Sequence, residues 1–214
     1  CNRMAVFSSR CLKIAIPCES GEGESRFASQ NTWFAGAASG GIWKTINGGS
    51  SWETSSTGLP NLGTNAIAQS LSNPDIIFAG TGEQYGGGDI NGSGLFKSTD
   101  HGQNWIQIIS PDDIPAAQLI GRIIVNPENA NEVIVSGTSS KWSRESVKSG
   151  IYKSIDGGVS WSESLLFRNG FVVDMILSDP KNWNIQYAAI SGKGVYKSID
   201  GGQSWSPKSI GIPN

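Results

Sequence analysis

The sequence predicts an all-β fold built from repeated four-stranded antiparallel sheets. Three observations carry this expectation: an eight-residue corner that recurs four times without gaps, a second turn that recurs in phase with it, and a composition suited to short strands and tight turns. The corners are Thr45-Ile46-Asn47-Gly48-Gly49-Ser50-Ser51-Trp52, Ser98-Thr99-Asp100-His101-Gly102-Gln103-Asn104-Trp105, Ser154-Ile155-Asp156-Gly157-Gly158-Val159-Ser160-Trp161 and Ser198-Ile199-Asp200-Gly201-Gly202-Gln203-Ser204-Trp205. They share the pattern S/T-x-D/N-x-G-x-x-W, and their first residues lie 53, 56 and 44 positions apart. Such spacing fits one propeller blade per repeat.

Each corner follows an aromatic residue and a lysine: Trp43-Lys44, Phe96-Lys97, Tyr152-Lys153 and Tyr196-Lys197. The second turn is Asn73-Pro74, Asn126-Pro127 and Asp179-Pro180, each between two apolar runs. A whole unit then reads as strand A (with Ile67, Ile123 or Val173), the Asn/Asp-Pro turn, strand B (76–80, 133–137 or 185–190), strand C (the Gly-aliphatic-aromatic-Lys run), the corner, and strand D from the Trp. Four short strands with turns between them, repeated, make a β-propeller of four-stranded antiparallel blades. The blades are expected at about 31–57, 64–110, 120–166 and 171–210, and 1–30 as a poorly patterned N-terminal segment in which 12–16 could form the first strand A. About four blades fall within the chain, which reads as a partial ring or a segment of a larger propeller.

The corner residues have a turn-forming logic. Asn47, Asp100, Asp156 and Asp200 can accept backbone N–H groups as Asx-turns. Gly49, Gly102, Gly158 and Gly202 sit where a hairpin turn needs positive φ. The hydroxyls of Thr45, Ser98, Ser154 and Ser198 can take a backbone group left open at the turn. Trp52, Trp105, Trp161 and Trp205 can fill the wedge against a neighbouring sheet, with the indole N–H at the wet edge. These sixteen residues are therefore scaffold rather than a row of catalytic acids. His101 stands where the other corners carry Gly48, Gly157 and Gly201, which places it on a turn and not in a catalytic group.

Composition narrows the function. Among 214 residues, 28 are glycine and 16% are charged, with a formal charge of −2 and no basic run. Nucleic-acid binding needs clustered Lys and Arg, so no nucleic-acid partner is expected. No apolar stretch approaches the roughly 20 residues of a membrane span. No phosphate loop, metal-ligand spacing or cofactor motif is present, so no metal and no cofactor is expected. Three cysteines, Cys1, Cys11 and Cys18, are too few for a disulfide framework or a four-ligand metal site. Cys11 and Cys18 could pair or stay as free thiols.

The four segments resemble the Asp-box, or BNR, repeat of a propeller superfamily that includes sialidases, xyloglucanases, sortilin-like receptors and a photosystem assembly factor. The resemblance covers 31–214. It implies a propeller, and secretion to an extracellular or periplasmic compartment, but not one activity. Sialidase resemblance fails in detail: Phe167-Arg168-Asn169-Gly170 only begins like the Arg-Ile-Pro segment, and no arginine triad is evident. Xyloglucanase resemblance is closer. In those enzymes one catalytic Asp precedes the Gly-Gly-aliphatic-aromatic run, and here that position is Ala38.

Blade topology puts the A–B and C–D turns at one end and the B–C and D–A connections at the other, where binding loops vary. Two B–C loops are long. One carries Glu83, Tyr85 and Asp89, the other Trp142, Arg144 and Glu145, and adjacent blades should hold them side by side. Aromatic faces with carboxylates and a cation form a plausible sugar platform. A glycosidase needs two carboxyl groups about 5 to 9.5 Å apart; Glu83, Asp89, Asp112, Asp113 and Glu145 could supply a pair, and spacing selects none. The catalytic residues are thus unknown. The expected function is a secreted non-catalytic binding module or scaffold for a glycan or protein ligand, with a segment of a xyloglucanase-like glycoside hydrolase as the alternative. Further blades of the same parent protein are possible partners.

Overall fold

Side chains alternate between the two faces of a strand, so a run that is apolar at every position must be covered on both sides. In the computed structural model the strands are arranged to do this. The structure describes residues 4–7, 12–15, 31–37, 40–60, 63–82, 91–139, 148–168 and 171–208. Their strands form four antiparallel sheets, each pairing nearest neighbours in chain order. The first holds β1 (Met4–Phe7), β2 (Leu12–Ala15), β3 (Trp33–Ala37), β4 (Gly41–Thr45) and β5 (Glu53–Thr54). The second holds β6 (Thr64–Gln69), β7 (Ile77–Thr81), β8 (Leu95–Ser98) and β9 (Ile106–Ile109). β10 (Leu119–Asn126), β11 (Asn129–Thr138), β12 (Lys148–Ser154) and β13 (Ser162–Arg168) make the third. The fourth is β14 (Val173–Asp179), β15 (Asn182–Ile190), β16 (Gly194–Ser198) and β17 (Ser206–Pro207). One single-turn 3-10 helix, Pro115–Gln118, is the helix found among the described residues.

The all-β expectation and the repeat phase hold: each corner joins the last two strands of its sheet. Three details differ. β1 adds a strand beside β2 that the sequence pattern did not announce, while β2 falls within the stretch expected as the first strand A. The last strand of each blade starts one residue after the Trp rather than on it. The residue before each Trp still donates its N–H to the corner Asn or Asp, so ladder pairing begins only beyond it. Strands B are shifted or longer, because the Asn/Asp-Pro turns close on themselves: Asp75, Glu128 and Lys181 donate N–H to Asn73, Asn126 and Asp179 side chains.

The core is three layers between consecutive blades, and strand alternation sorts residues into them. Ile77 and Ala79 pack with Phe34 and Ile42 of the first blade. Phe78, on the opposite face, packs with Ile123, Val133 and Val135 of the third. Ile134 packs with Val173, Ile176 and Ala188 of the fourth. The blades therefore stack in chain order, each one covering the next. The first strands β6, β10 and β14 lie closest to one another across these interfaces, so the sheets converge on that side and fan out toward β9, β13 and β17.

Candidate functional site

The corners come first, since they carry the most repeated polar chemistry. In each, the Ser or Thr hydroxyl donates to the Asn or Asp Oδ1 at 2.7 to 2.8 Å. It also accepts the N–H of the fifth residue, Gly49, Gly102, Gly158 or Gly202, at 2.8 to 3.0 Å. Oδ1 accepts the N–H of Ser51, Asn104, Ser160 or Ser204 at 2.9 to 3.0 Å. The fourth residue, Gly48, His101, Gly157 or Gly201, donates its N–H to a carbonyl in or just beyond the A–B turn of the same blade, on Asn31, Asp75, Asn131 or Asn184. This bond fixes the corners at the A–B end.

These bonds set the carboxylate acidities. Backbone and side-chain bonds from Asn104 hold Asp100 at about 2. Bonds from the Ser160 side chain and backbone hold Asp156 well below the usual carboxylate range. Burial pushes Asp200 up, but bonds from Ser204, Ser198 and Gln203 outweigh it and leave it at about 2. A carboxylate this firmly ionised makes a poor proton donor near neutral pH. Asn47 makes the same Oδ1 bonds without a charge, so the charge is dispensable to the turn.

Two consecutive corner residues have positive φ, not one. Beside the expected glycines at +90°, +81°, +97° and +80°, Gly48, His101, Gly157 and Gly201 lie at +68°, +61°, +73° and +68°. His101 is the non-glycine residue with positive φ among the described residues. Its ring meets Phe34 edge-on at 5.9 Å, and its Nδ1 lies 3.4 Å from Asp75.

The repeated lysine has a role that the sequence reading left unassigned. Lys44 Nζ donates to the His101 carbonyl, Lys97 Nζ to that of Gly157 and Lys153 Nζ to that of Gly201, each at 2.8 Å. Each of these three lysines thus clasps the fourth residue of the next blade's corner. Ser55 and Ser164 hydroxyls add a bond to the Gly102 and Gly202 carbonyls of the following corner. Trp105 and Trp205 point their indole N–H back into the preceding blade, to the Ser55 carbonyl and Ser164 Oγ, whereas the sequence placed it at the wet edge. Lysine at the same position in all four repeats was the available signal; its partner lies 48 to 60 residues on.

At the opposite end lie the B–C and D–A connections. The six residues expected to form a sugar platform, Glu83, Tyr85, Asp89, Trp142, Arg144 and Glu145, fall outside the described residues, as does Ala38. The roots of their two loops are described. Thr81 Oγ1 donates to the Gly94 carbonyl and accepts the Ser93 N–H. Ser139 Oγ accepts the Lys148 N–H, and Lys148 O accepts that of Ser139. Gly92 donates to the Gln118 carbonyl, and Gly137 lies so close to the Ala116 carbonyl that a Cβ there would come within 2.4 Å. The turn Pro115–Gln118 therefore stands between the two roots and touches both.

The same rim carries residues that the sequence reading did not select. β6, β10 and β14 each bulge at their start, at Asn65, Gly121 and Asp174. Asn65 Nδ2 donates to the Ile120 carbonyl across the blade interface. Burial raises Asp174 above its ordinary value, and the charge of Arg122 works against this. Phe171, Phe167 and Tyr196 form an edge-to-face row, with Lys193 Nζ 4.3 Å from the Phe171 ring. Asp112 and Asp113 are exposed on the connection leading to the 3-10 turn. The rim can thus offer aromatic faces, carboxylates and cations together, whereas the corner end offers polar groups already bonded to one another.

Stacked four-stranded blades of this kind define a β-propeller. No protein-family model matches the chain. The chain is similar to a xyloglucanase of Paenibacillus sp, 27% identical over 111 residues, which is 50% of this chain and 10% of that protein. Among solved structures it is similar to an ancestral GH74 enzyme, with a TM-score of 0.62 and 26% identity, covering 84% of this chain and 23% of that one. It is also similar in fold to the GH74 enzyme of Niastella koreensis, at 21% identity and a TM-score of 0.62 over 84% of this chain and 28% of that one. The GH74 xyloglucanase of Xanthomonas campestris gives a TM-score of 0.62 at 16% identity, over 86% and 29%. The chain spans about a tenth of the length of the curated relative and under a third of these structures.

Proposed function

We propose that this chain is a blade segment of a secreted, xyloglucanase-like glycoside hydrolase, and that its B–C rim binds a β-glucan chain. The observation that carries the reading is the agreement of fold and sequence with the ancestral GH74 enzyme over 84% of the chain at 26% identity, joined by the similarity to the Paenibacillus xyloglucanase. Both favour the hydrolase-segment reading over a stand-alone non-catalytic module. On this reading the corners are Asp-box turns with a scaffold role. Tyr85 and Trp142 stack on sugar faces, as aromatic rings do in carbohydrate sites, while Glu83, Asp89, Arg144 and Glu145 bond sugar hydroxyls. The carboxyl groups of the rim are the candidates for acid–base work; the corner carboxylates are not.

The test is titration calorimetry of the chain with a xyloglucan oligosaccharide and with an unbranched β-glucan of equal backbone length, together with reducing-sugar release from both. Saturable binding to the glucans supports the rim as a glucan surface. Release of reducing ends would extend it to catalysis by the segment itself. No heat with either glucan refutes the reading.

A further inference from the structure

The four corners share one shape but not one chemistry. Their third and fourth residues are Asn47-Gly48, Asp100-His101, Asp156-Gly157 and Asp200-Gly201. A backbone nitrogen can attack the side-chain carbonyl of the residue before it, most readily when the nitrogen belongs to glycine and no Cβ stands in the way. His101 hinders that attack with its side chain. Asp156 and Asp200 are held ionised by their hydrogen bonds, and a carboxylate has no neutral group to expel. Among the corners, only the first joins an amide, which can leave as ammonia, to a glycine.

The folded corner keeps these two groups engaged elsewhere. Gly48 donates its N–H to the Asn31 carbonyl at 2.9 Å. Asn47 Oδ1 accepts the Thr45 hydroxyl at 2.8 Å and the Ser51 N–H at 2.9 Å, while Nδ2 donates to Ser51 Oγ at 2.8 Å. Thr45 Oγ1 also accepts the Gly49 N–H at 3.0 Å. Attack therefore requires a local opening in which the Gly48 nitrogen leaves Asn31 and the side chain leaves Thr45 and Ser51. Water and base reach the site without further movement, since Asn47 is exposed. An adjoining blade does not change this: Asp156 is also exposed, with the second blade clasped to its corner through Lys97.

We infer that Asn47-Gly48 is a self-modification site that the corner holds in check and whose aspartate product the corner accepts. On opening, the deprotonated Gly48 nitrogen bonds to Asn47 Cγ, the Cγ–Nδ2 bond breaks and ammonia leaves. Water then opens the five-membered imide. Addition at Cγ gives aspartate; addition at the backbone carbonyl carbon gives isoaspartate, which carries an extra methylene in the main chain. The aspartate fits because the other corners already show its bonds. Asp100 Oδ2 accepts from Asn104 Nδ2 at 2.8 Å, and Asp156 and Asp200 Oδ2 accept from Ser160 and Ser204 Oγ at 2.5 Å. Ser51 stands at the same place and needs only to turn its hydroxyl hydrogen toward the new oxygen. Isoaspartate displaces Gly48 from Asn31 and cannot close the corner. The site lies at the A–B end, so the inference is independent of the glucan reading.

The test is peptide mapping by mass spectrometry during incubation at mildly alkaline pH, with aspartate and isoaspartate resolved by chromatography. The Asn-Gly pairs at Asn91 and Asn169 are followed in the same maps as references outside the corners. Asn47 is expected to convert at least about tenfold more slowly in the native chain than in urea, the worth of one to two hydrogen bonds. Thr45→Ala removes the hydroxyl and is expected to recover at least about tenfold of that difference in buffer. Near-UV circular dichroism checks that its blades stay packed; Ser51→Ala, which deletes the Nδ2 acceptor alone, replaces it if they do not. Asn47→Asp is expected to match wild type in urea midpoint at neutral pH. Equal conversion of Asn47 in buffer and in urea, no acceleration in the packed variant, or a clearly lowered midpoint for Asn47→Asp would overturn the inference.

Discussion

Lys153→Met is the sharpest probe of how the blades are joined. Lys153 is 6% exposed, donates to the Gly201 carbonyl at 2.8 Å and lies 3.9 Å from Glu132 Oε2. Methionine keeps the stem against the interface and deletes only the donor. A hydrogen bond from a charged group is worth about 1.5–3 kcal/mol net, and a partner left without its bond adds to the loss. Glu132 retains the Trp183 indole bond at 2.9 Å, so its carboxylate is not stranded and the larger penalty of an orphaned buried charge does not apply. The expected loss is therefore about 2–3 kcal/mol, or roughly 4–12 °C in melting temperature for a chain of this size. Urea denaturation at neutral pH measures it directly. Lys208→Met, on an exposed residue just past the outermost strand, should change stability by under about 0.5 kcal/mol. Equal effects at Lys153 and Lys208, or no effect at Lys153, would refute the clasp as a stabilising contact.

Other perturbations follow from the corners. Gly102→Ala puts a Cβ at φ +81° and 2.7 Å from the Phe34 ring; left-handed strain of about 1–2 kcal/mol plus overpacking of about 1–3 predicts a loss near 3 kcal/mol by urea midpoint. Gly48→Ala, with its nearest atom at 3.5 Å, should lose only the strain share. His101→Gly removes the same strain together with the Phe34 and Asp75 contacts, so stability should move by less than about 1 kcal/mol while glucan binding stays unchanged in calorimetry. Acid sensitivity follows from the depressed carboxylates: their stabilisation is complete above the unfolded value near 3.8 and is lost as pH falls toward about 2. Melting temperature should therefore drop between about pH 4 and 2, and Asp100→Asn should flatten that drop, as Asn47 already carries the uncharged arrangement.

What the sequence revealed and what it hid separate by range. The corner bonds and the Asn/Asp-Pro turns close within four residues, so residue type at fixed spacing sufficed to place them. Strand alternation placed Ile67, Ile123 and Val173 correctly on first strands, because each must be apolar toward a neighbouring sheet. The lysine clasp was invisible because its acceptor is a backbone carbonyl in the next repeat, and a carbonyl leaves no mark on residue type. The second left-handed position was masked by His101, which breaks an otherwise all-glycine column. The indole N–H groups of Trp105 and Trp205 were misplaced because their acceptors, Ser55 O and Ser164 Oγ, belong to the blade before. On the rim, loop length pointed to 83–92 and 139–146, whereas Asp174 and the Phe171–Phe167–Tyr196 row are assembled by bulges and interface packing that no local pattern encodes.

The separation of scaffold end from binding end is tested most directly by xyloglucan affinity in two double variants, measured side by side. The account predicts that Tyr85→Ala/Trp142→Ala loses binding while remaining as stable as wild type. It predicts that Asp156→Asn/Asp200→Asn binds with unchanged affinity and differs only in acid stability. Loss of affinity in the corner variant with retention in the rim variant would contradict it.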